Sequence, residues 1–388
     1  MNENEVLKTE LGYVKKALTH ASVLPRETYV SEEWYKLELD KIFGKSWIWA
    51  GTASQVRNVG DYFTMKIAND PLLIVRSSEN TVDGLINVCR HRGTIVAQKK
   101  SGSSKSFACP YHGWTYGLDG SLRGCPGLDW RDMEGTEGFD PRIYGLHHVK
   151  VDLWQGLVFV NLDLSAKSLE SYLAGAPEIF ERIDLEKLVS AKQYDCKVEV
   201  NWKIFADNMA EQYHVPYLHR ETLYRDFDYE IETNDNWLGW YSIKKDELDY
   251  RTIDRPDVPK IDGMNKDDLD HVWFFFLYPS TYFILTPNQF VVYNSIPDEL
   301  FSCKSHQDYL FVNPISTSPE FIETSFNYVQ RLLFDEDIPA QLSVQEGLLS
   351  TRGLRPGDGR FSVKWENGLY HFHNWILDRI GPPTKRSQ

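Results

Sequence analysis

The chain has 388 residues, with 42 basic and 56 acidic side chains and a formal net charge of −14. Apolar residues make up 42% and charged residues 25%, an ordinary balance for a globular protein that buries a large core. The acidic balance argues against nucleic acid as a partner, because the phosphate backbone attracts basic proteins. The longest apolar run, around 272–278, is far shorter than the roughly 20 residues of a membrane span, so we expect no membrane association.

The N-terminus and the cysteines predict a cytoplasmic protein. The first 16 residues, MNENEVLKTELGYVKK, are polar and lack the apolar core and small-residue cleavage site of a signal peptide. Five cysteines in a chain of this length do not indicate a disulfide framework. The aromatic content, 14%, is high enough to line a pocket as well as to fill a core.

The first part of the chain predicts one helix followed by short strands. Apolar spacing over 32–46 fits an amphipathic helix. Alternation over 62–67, a turn at 69–71 and an apolar run over 72–75 begin a series of strands that continues to about Asn161. We therefore predict an N-terminal helical segment, 1–46, that packs on a later domain, and a small all-β domain, 47–161.

The remainder, 162–388, predicts a larger domain of helices and strands. Helical patterns cover 166–181, 201–214 and 319–349, and an aromatic-rich β pattern covers 272–296. The charged segment 225–270 contains several Pro and Gly, so we expect mobile loops there. The fold class is therefore α+β, with the small all-β domain inserted near the N-terminus of the larger one.

Two short motifs, CRHRG at 89–93 and CPYHGW at 109–114, place Cys89, His91, Cys109 and His112 at metal-ligand spacing. Two thiolates and two imidazoles suit zinc. They equally suit a Rieske [2Fe–2S] cluster, in which two Cys bind one iron and two His bind the other. One Cys and one His in each motif favour the cluster, because zinc fingers typically present a Cys pair and a separate His pair.

A second candidate metal site lies in the sequence NWKIFADNMAEQYHVPYLH, which ends at His219. His214 and His219 are five residues apart, or about 140° around an ideal helix, so one straight helix could not bring both to one ion. Pro216 predicts that the helix ends and that the chain turns His219 back. Glu211 is expected on the same helical face as His214. Two imidazoles plus a carboxylate make the facial triad of non-haem Fe(II) oxygenases.

The motif CRHRG…CPYHGWTY resembles that of the terminal oxygenases among the Rieske non-haem iron enzymes, and 201–219 resembles their catalytic helix. The resemblance covers most of the chain. It implies a Rieske domain with a [2Fe–2S] cluster on the four motif residues. It also implies a catalytic domain built on a helix-grip-like antiparallel sheet covered by helices, with a mononuclear Fe(II) on His214, His219 and a distant carboxylate.

The resemblance selects Asp337, in FDEDIPAQLSVQEGL, as that third ligand, with Asp335 and Glu336 as alternates. Without the resemblance, an acid in the first turn of a helix would explain Asp335 or Asp337 equally well, because Pro339 is tolerated there.

Glu211 matches the position of an acid that, in this family, links a Rieske His of one subunit to an iron ligand of the next. The implied electron path runs from His112 through Glu211 to His214 across a subunit interface. A head-to-tail interface that closes gives a ring, so we expect a homo-oligomer, and the chain length favours a trimer. Asp207 and Asn208 are expected to orient the ligands.

The resemblance implies an O₂-dependent oxidoreductase that receives NAD(P)H electrons from a separate reductase, directly or through a ferredoxin. No GxGxxG motif follows a predicted strand, so the chain itself shows no nucleotide site. Two other hypotheses explain fewer of these sequence features. A Rieske electron carrier without its own chemistry leaves His214 and His219 unexplained, and a zinc-stapled interaction protein leaves the resemblance unexplained.

For the substrate we expect a small aromatic compound, hydroxylated once or twice during aromatic catabolism. The alternative is a quaternary ammonium compound, similar to choline, betaine or carnitine, that is hydroxylated or N-dealkylated. Glu211 and the stretch YHVPY look somewhat like the choline and carnitine oxygenases. An aromatic wall stacks on a ring and equally attracts a cation, so composition leaves both open. Met209, Tyr213, Tyr282 and the strand pattern at 271–290 are candidates for that wall.

Overall fold

The computed structural model describes residues 3–126, 140–223, 227–244, 258–312, 317–355 and 357–381. The chain divides into two compact units, Phe43–Glu170 and a larger unit composed of Met1–Ile42 and Ser171–Gln388. The predicted α+β class, with an all-β part near the N-terminus, is confirmed. The predicted domain boundaries, at residues 47 and 162, stay a prediction.

The N-terminal segment of the larger unit is helical. It contains α1 (Glu3–Val14), α2 (Glu27–Val30) and α3 (Glu32–Glu38), and α3 continues into a π-helical turn over Leu39–Phe43. The hydroxyl of Ser31 accepts a hydrogen bond from the N–H of Trp34 at 3.3 Å and so caps α3. This agrees with the helix predicted over 32–46.

The Phe43–Glu170 unit is built from antiparallel strands. A seven-stranded sheet has the order β1-β10-β9-β4-β3-β2-β5, and a smaller sheet has the order β6-β7-β8. The strands are β1 (Ile48–Thr52), β2 (Asp61–Ile67), β3 (Asp70–Ser78), β4 (Thr81–Ile86), β5 (Ser101–Ser103), β6 (Phe107–Ala108), β7 (Thr115–Tyr116), β8 (Leu122–Gly124), β9 (His148–Trp154) and β10 (Leu157–Asn161).

The larger unit contains one eight-stranded antiparallel sheet. Its order is β11-β18-β16-β15-β14-β13-β12, and β17 pairs with β18. The strands are β11 (Val189–Val198), β12 (Phe227–Asn234), β13 (Trp237–Lys244), β14 (His271–Leu277), β15 (Thr281–Leu285), β16 (Phe290–Asn294), β17 (Ile296–Glu299) and β18 (Ser302–Phe311).

The remaining helices of the described residues lie before this sheet, between its first two strands and after it in sequence. Short 3₁₀ turns cover Leu18–His20, Ala53–Val56, Pro141–Ile143, Leu185–Lys187 and Asp268–Asp270. A π-helical segment, Arg331–Asp337, joins α8 to α9. The helices are α4 (Leu169–Tyr172), α5 (Ile179–Arg182), α6 (Trp202–Met209), α7 (Val215–Leu218), α8 (Pro319–Gln330), α9 (Ile338–Leu349) and α10 (Asn367–Ile380).

Three expectations about elements are wrong. The helix expected over 166–181 is only α4 and α5, because Gly175, with φ of 70°, and Pro177 interrupt it. The helix expected over 201–214 ends at Met209. The loops expected over 225–270 include two strands, β12 and β13, while 225–226 and 245–257 lie outside the described residues.

The helices predicted over 319–349 and the strands predicted over 272–296 are confirmed. Long, regular apolar patterns are the most reliable signal of such elements, and both segments have one. None of the helices in the described ranges has the length and hydropathy needed to cross a bilayer.

Candidate functional site

The two Cys–His motifs form a pair of matching loops in the Phe43–Glu170 unit. In each loop, the carbonyl of the cysteine accepts a hydrogen bond at 2.9 Å from the N–H of the glycine four residues later, Gly93 or Gly113. These glycines have φ of 77° and 73°, a conformation that a side chain would strain. The two loops bring the rings of His91 and His112 to a centroid distance of 4.6 Å.

The donor atoms of these loops fit a metal cluster. The Nδ1 atoms of His91 and His112 are buried and have no hydrogen-bond partner among the described residues. An unpaired buried nitrogen is costly unless its lone pair binds something else, such as a metal. Burial and the neighbouring His112 lower the pKa of His91, which keeps its imidazole neutral. Neutral imidazole is the form that ligates iron.

The thiols are buried beside the imidazoles. Burial opposes ionisation of the Cys109 thiol, but hydrogen bonds from the N–H of Tyr111 and from the Cys89 thiol outweigh it and lower the pKa of Cys109. Thiolate is the ligating form of cysteine. The donor set therefore fits a cluster held by two cysteines and two histidines.

Tyr116 is the last residue of the motif CPYHGWTY, which did not by itself assign a role to it. Its hydroxyl accepts a hydrogen bond from the N–H of Arg90 at 3.0 Å and lies 3.2 Å from the Sγ atom of Cys89. Because the hydroxyl already accepts, its own proton is available to the sulfur. Hydrogen bonds to ligand sulfurs are one of the factors that set the reduction potential of such clusters.

In the larger unit, the structure brings His214, His219 and Asp337 together. One potential ligand atom of each lies within 4.8 Å of the others. The Oδ1 atom of Asp337 is 3.1 Å from Nε2 of His219 and 3.6 Å from Nε2 of His214. Two imidazoles and one carboxylate thus converge, a donor set that fits Fe(II) with open positions.

A break between two helices positions the histidines. Helix α6 ends at Met209, and α7 begins at Val215 with His214 as its N-cap. Pro216 lies in the first turn of α7, where its missing N–H leaves no hydrogen bond unmade. Pro216 therefore starts a second helix rather than ending the first, and one turn of α7 brings His219 back to His214.

Each imidazole has a carboxylate behind it. Nδ1 of His214 lies 2.6 Å from Oε1 of Glu211, and Nδ1 of His219 lies 2.6 Å from Oε2 of Glu336. A carboxylate acceptor holds the proton on Nδ1 and leaves the Nε2 lone pair for a metal. Glu211 also accepts the N–H groups of Tyr213 and His214, so the contact comes from the bend and not from a shared helical face.

Further contacts steady the carboxylates of the site. The hydroxyl of Thr222 donates to Glu336 at 2.6 Å, and Nε of Arg331 lies 3.4 Å from the other Glu336 oxygen. The side-chain amide of Asn208 donates to Oδ1 of Asp337 at 3.3 Å. Sequence reasoning considered Glu336 only as an alternate ligand. The sequence feature that could have indicated its supporting role is the run of three acids over 335–337.

Asp207 makes its contacts elsewhere. It accepts a hydrogen bond from the Tyr29 hydroxyl at 2.5 Å and lies 3.0 Å from Nε2 of His373. Nδ1 of His373 accepts the N–H of Leu24 at 3.1 Å, so the proton is on Nε2 and is donated to Asp207. These bonds tie α6 to the N-terminal segment and to α10. A role for Asp207 in orienting the metal ligands stays a prediction.

A cavity of about 580 Å³, a volume that includes its open mouth, lies against His214, His219 and Asp337. The sheet supplies an aromatic wall. The residues of this wall are neighbours across β13 to β16: Trp240, Phe274, Phe276, Tyr282 and Tyr293. A mostly apolar chamber with a few convergent polar groups is the usual form of a small-molecule site.

Within the wall, the rings of Trp240 and Phe274 stack at 3.8 Å with an angle of 11°. Met209 and Tyr282 line the cavity, as the sequence predicted. Tyr213 is 45% exposed and is not among the lining residues. The cavity is therefore a largely apolar chamber whose lining includes the three candidate metal ligands.

Two family models match the chain. The model of the Rieske [2Fe-2S] domain matches residues 46–132, and that of the ring hydroxylating alpha subunit (catalytic domain) matches 185–382. The second match covers more than half of the sequence. The chain belongs to the Rieske non-haem iron oxygenases. It is an O₂-dependent oxidoreductase that acts on a small molecule.

Family membership establishes the cofactors. These are a Rieske [2Fe–2S] cluster and a mononuclear Fe(II), and the electrons come from NAD(P)H through a separate reductase. The hypotheses of an electron carrier without its own chemistry and of a zinc-stapled interaction protein are therefore excluded.

Similar proteins span nearly the whole chain. The choline monooxygenase of Spinacia oleracea is 30% identical over 92% of this chain and 78% of its own length. The carnitine monooxygenase oxygenase subunit of Acinetobacter pittii is 28% identical, with coverage of 92% and 94%. The crystal structure of the quaternary ammonium Rieske monooxygenase CntA with L-carnitine is 26% identical, with a TM-score of 0.80 and coverage of 96% and 99%.

The expectation of a small aromatic substrate is wrong, because these relatives are choline and carnitine monooxygenases. The naphthalene 1,2-dioxygenase from Rhodococcus has a TM-score of 0.77 at 19% identity, with coverage of 98% of both chains, which indicates a shared fold alone. The aromatic residues could not decide between the two substrate classes, because a ring substrate and an ammonium group both favour an aromatic wall. The quaternary ammonium alternative is the better supported one.

Proposed function

We propose that this chain is the oxygenase component of a monooxygenase that hydroxylates or N-dealkylates a quaternary ammonium compound. The observation that carries the proposal is the aromatic cavity against His214, His219 and Asp337. An ammonium group near an aromatic face gains about 0.5–2 kcal/mol, more when water is excluded. The net charge of −14 adds a general attraction for cations at longer range.

In this proposal His214, His219 and Asp337 bind the mononuclear iron, and the four Cys–His residues of the two loops bind the cluster. The chemistry supplied by these groups when bound is activation of O₂ with electrons relayed from the cluster. Glu211 and Glu336 hold the two imidazoles with Nε2 directed toward Asp337. Asn208 holds the Asp337 carboxylate through its amide.

Electron transfer is proposed to run from His112 of one subunit through Glu211 to His214 of the next. Glu211 supports this role because it already contacts the imidazole of His214 on the side away from Asp337. A repeated head-to-tail contact that closes gives a ring, and a homotrimer is the proposed assembly. A ferredoxin between the reductase and the cluster, and a cytoplasmic location, stay predictions.

Replacing one wall residue tests the proposed substrate class. In Trp240→Leu, we expect choline to bind about fivefold more weakly, because a cation–π contact of about 1 kcal/mol is lost. The uncharged analogue 3,3-dimethylbutan-1-ol has the same shape as choline without the charge, so its affinity should fall less. Calorimetric titration of the metal-loaded protein with both compounds measures the two affinities.

Trp273→Leu is the matched control. Trp273 belongs to the strand next to Trp240 and is not among the residues that line the cavity. Its replacement should leave both affinities unchanged. Equal losses for choline and for the alcohol in Trp240→Leu would contradict the proposal, because the wall would then recognise shape and not charge.

A further inference from the structure

The cavity contains little charge beyond its metal site. Among the described residues that line it, the ionisable groups expected to carry charge or bind metal are His214, His219 and Asp337. The described lining includes no lysine and no arginine. A carboxylate on a bound ligand would therefore find no cationic side chain in this part of the chamber.

Three neutral polar groups of the lining already have hydrogen-bond partners. The hydroxyl of Tyr282 lies 2.8 Å from the Ser295 hydroxyl, and the hydroxyl of Tyr293 donates to the sulfur of Met209 at 3.0 Å. Burial raises the pKa of both tyrosines, so both stay neutral. The amide of Asn208 is likewise bonded to Asp337.

Such a chamber should bind the cationic group of a zwitterion more favourably than its anionic group. An ammonium group is attracted by the aromatic faces. A carboxylate that leaves water without a hydrogen-bonded partner is strongly disfavoured. A carboxylate that turned toward the metal instead would compete with O₂ for the positions that a facial triad leaves open.

We infer that the cavity selects quaternary ammonium compounds whose other substituents are uncharged, such as alcohols or hydrocarbons, over those that carry a carboxylate. The inference rests on the proposed function and narrows it. It separates this chain from relatives that are carnitine monooxygenases by name.

Choline and glycine betaine form a matched pair for the test, because they differ mainly in a hydroxymethyl group against a carboxylate. Anaerobic calorimetric titration of the wild-type holoenzyme should give at least about tenfold tighter binding for choline. The neutral alcohol 3,3-dimethylbutan-1-ol, titrated in parallel, should bind more weakly than choline.

The outcomes separate the inference from the function on which it rests. Betaine binding as tight as choline overturns the inference and leaves the proposed function standing. The neutral alcohol binding as tightly as choline overturns the proposed function, because the charge is then not recognised. Binding of none of the three compounds overturns both.

Leu223→Arg adds a cation to the described lining at a half-buried position. In this variant the preference for choline over betaine should shrink. The control is Leu342→Arg, at a 42% exposed position outside the lining, which should keep the wild-type preference. An unchanged preference in Leu223→Arg would contradict the inference.

Discussion

Two glutamates fix how the imidazoles of the mononuclear site are presented. Glu211 and Glu336 each lie 2.6 Å from an Nδ1 atom, of His214 and His219 respectively. Partners of this kind orient a ligand ring and raise its basicity, and their loss typically costs 10–100-fold in metal affinity or activity. The two glutamates differ in surroundings, since Glu336 is also held by Thr222 while Glu211 accepts backbone N–H groups.

Glu211→Gln tests the proposed electron path. Gln keeps an oxygen that can accept the Nδ1 proton of His214 but removes the charge. We expect both metal centres to stay filled, with about three irons and two sulfides per chain, while substrate oxidation falls about 10–100-fold. Iron and sulfide analysis measures how far both metal centres are filled. The EPR signal of the reduced cluster reports the cluster itself, and steady-state O₂ uptake measures substrate oxidation.

Glu221→Gln serves as the control, because Glu221 is exposed and lies a few residues further along the chain. It should behave as wild type in every measurement. Wild-type O₂ uptake and product formation in Glu211→Gln would refute the electron path through this side chain.

At the residue scale, sequence spacing predicted the ligand candidates better than the residues that support them. Cys and His in matching short motifs specify their own chemistry. The π-helical segment Arg331–Asp337 decides instead which acids of the run 335–337 contact the site. Its wider turn changes the direction of each side chain. The role of Glu336 could not be derived without that geometry.

At the scale of elements, a buried ion pair joins the N-terminal helices to α6. Nζ of Lys203 lies 2.7 Å from a carboxylate oxygen of Glu38, and both side chains are 0% exposed. The indoles of Trp34 and Trp202 each donate to Glu38 at 2.8 Å, and Asn201 accepts from Lys203 at 2.8 Å. Burial raises the pKa of Glu38 and lowers that of Lys203, so each group depends on the other to stay charged.

Lys203→Met should therefore destabilise the larger unit strongly. The change leaves the Glu38 carboxylate buried without its cation, and breaking such a pair from one side costs about 3–5 kcal/mol. The expected result is a lower free energy of unfolding in urea, followed by circular dichroism on the holoprotein.

Two further variants show whether the loss of stability comes from breaking the buried pair. Lys187→Met removes a cation that is 62% exposed and pairs with Asp184, so it should cost at most about 1 kcal/mol. The double variant Glu38→Leu/Lys203→Met removes both charges and should recover part of the loss. If Lys203→Met unfolds at the same urea concentration as Lys187→Met, the pair does not stabilise the fold as argued.

Element prediction succeeded where one pattern ran unbroken and failed where local signals were mixed. The continuous aromatic run over 271–277 gave β14 correctly, and the regular apolar spacing over 319–349 gave α8 and α9. The charged strand β12 was read as a loop because its carboxylates and nearby Pro and Gly resemble loop composition. Pairing with β13 along its full length overrides that local preference.

At the scale of the whole molecule, the two metal centres belong to different compact units of one chain. The cluster loops lie in Phe43–Glu170, and the mononuclear site lies in the larger unit. The proposed ring makes each cluster serve the iron of a neighbouring subunit, so the active unit is the oligomer and not the single chain.

Mixed oligomers test this arrangement. Cys109→Ser should remove the cluster, and Asp337→Ala should remove the mononuclear iron, so each variant alone should be inactive. Co-expression in equal amounts should restore about a quarter of the wild-type rate in a ring with random mixing, since a quarter of the interfaces pair an intact cluster with an intact iron. An inactive mixture of assembled oligomers would show that electrons do not cross between subunits.

The path of the chain also has a consequence for synthesis on the ribosome. Glu38 is made early but meets its partner Trp202 only 164 residues later. At about 5–20 residues per second, that separation corresponds to roughly 10–30 s of translation. The strands of Phe43–Glu170 are complete well before then, so this unit can fold, and its loops can receive a cluster, while the larger unit still awaits its C-terminal helices.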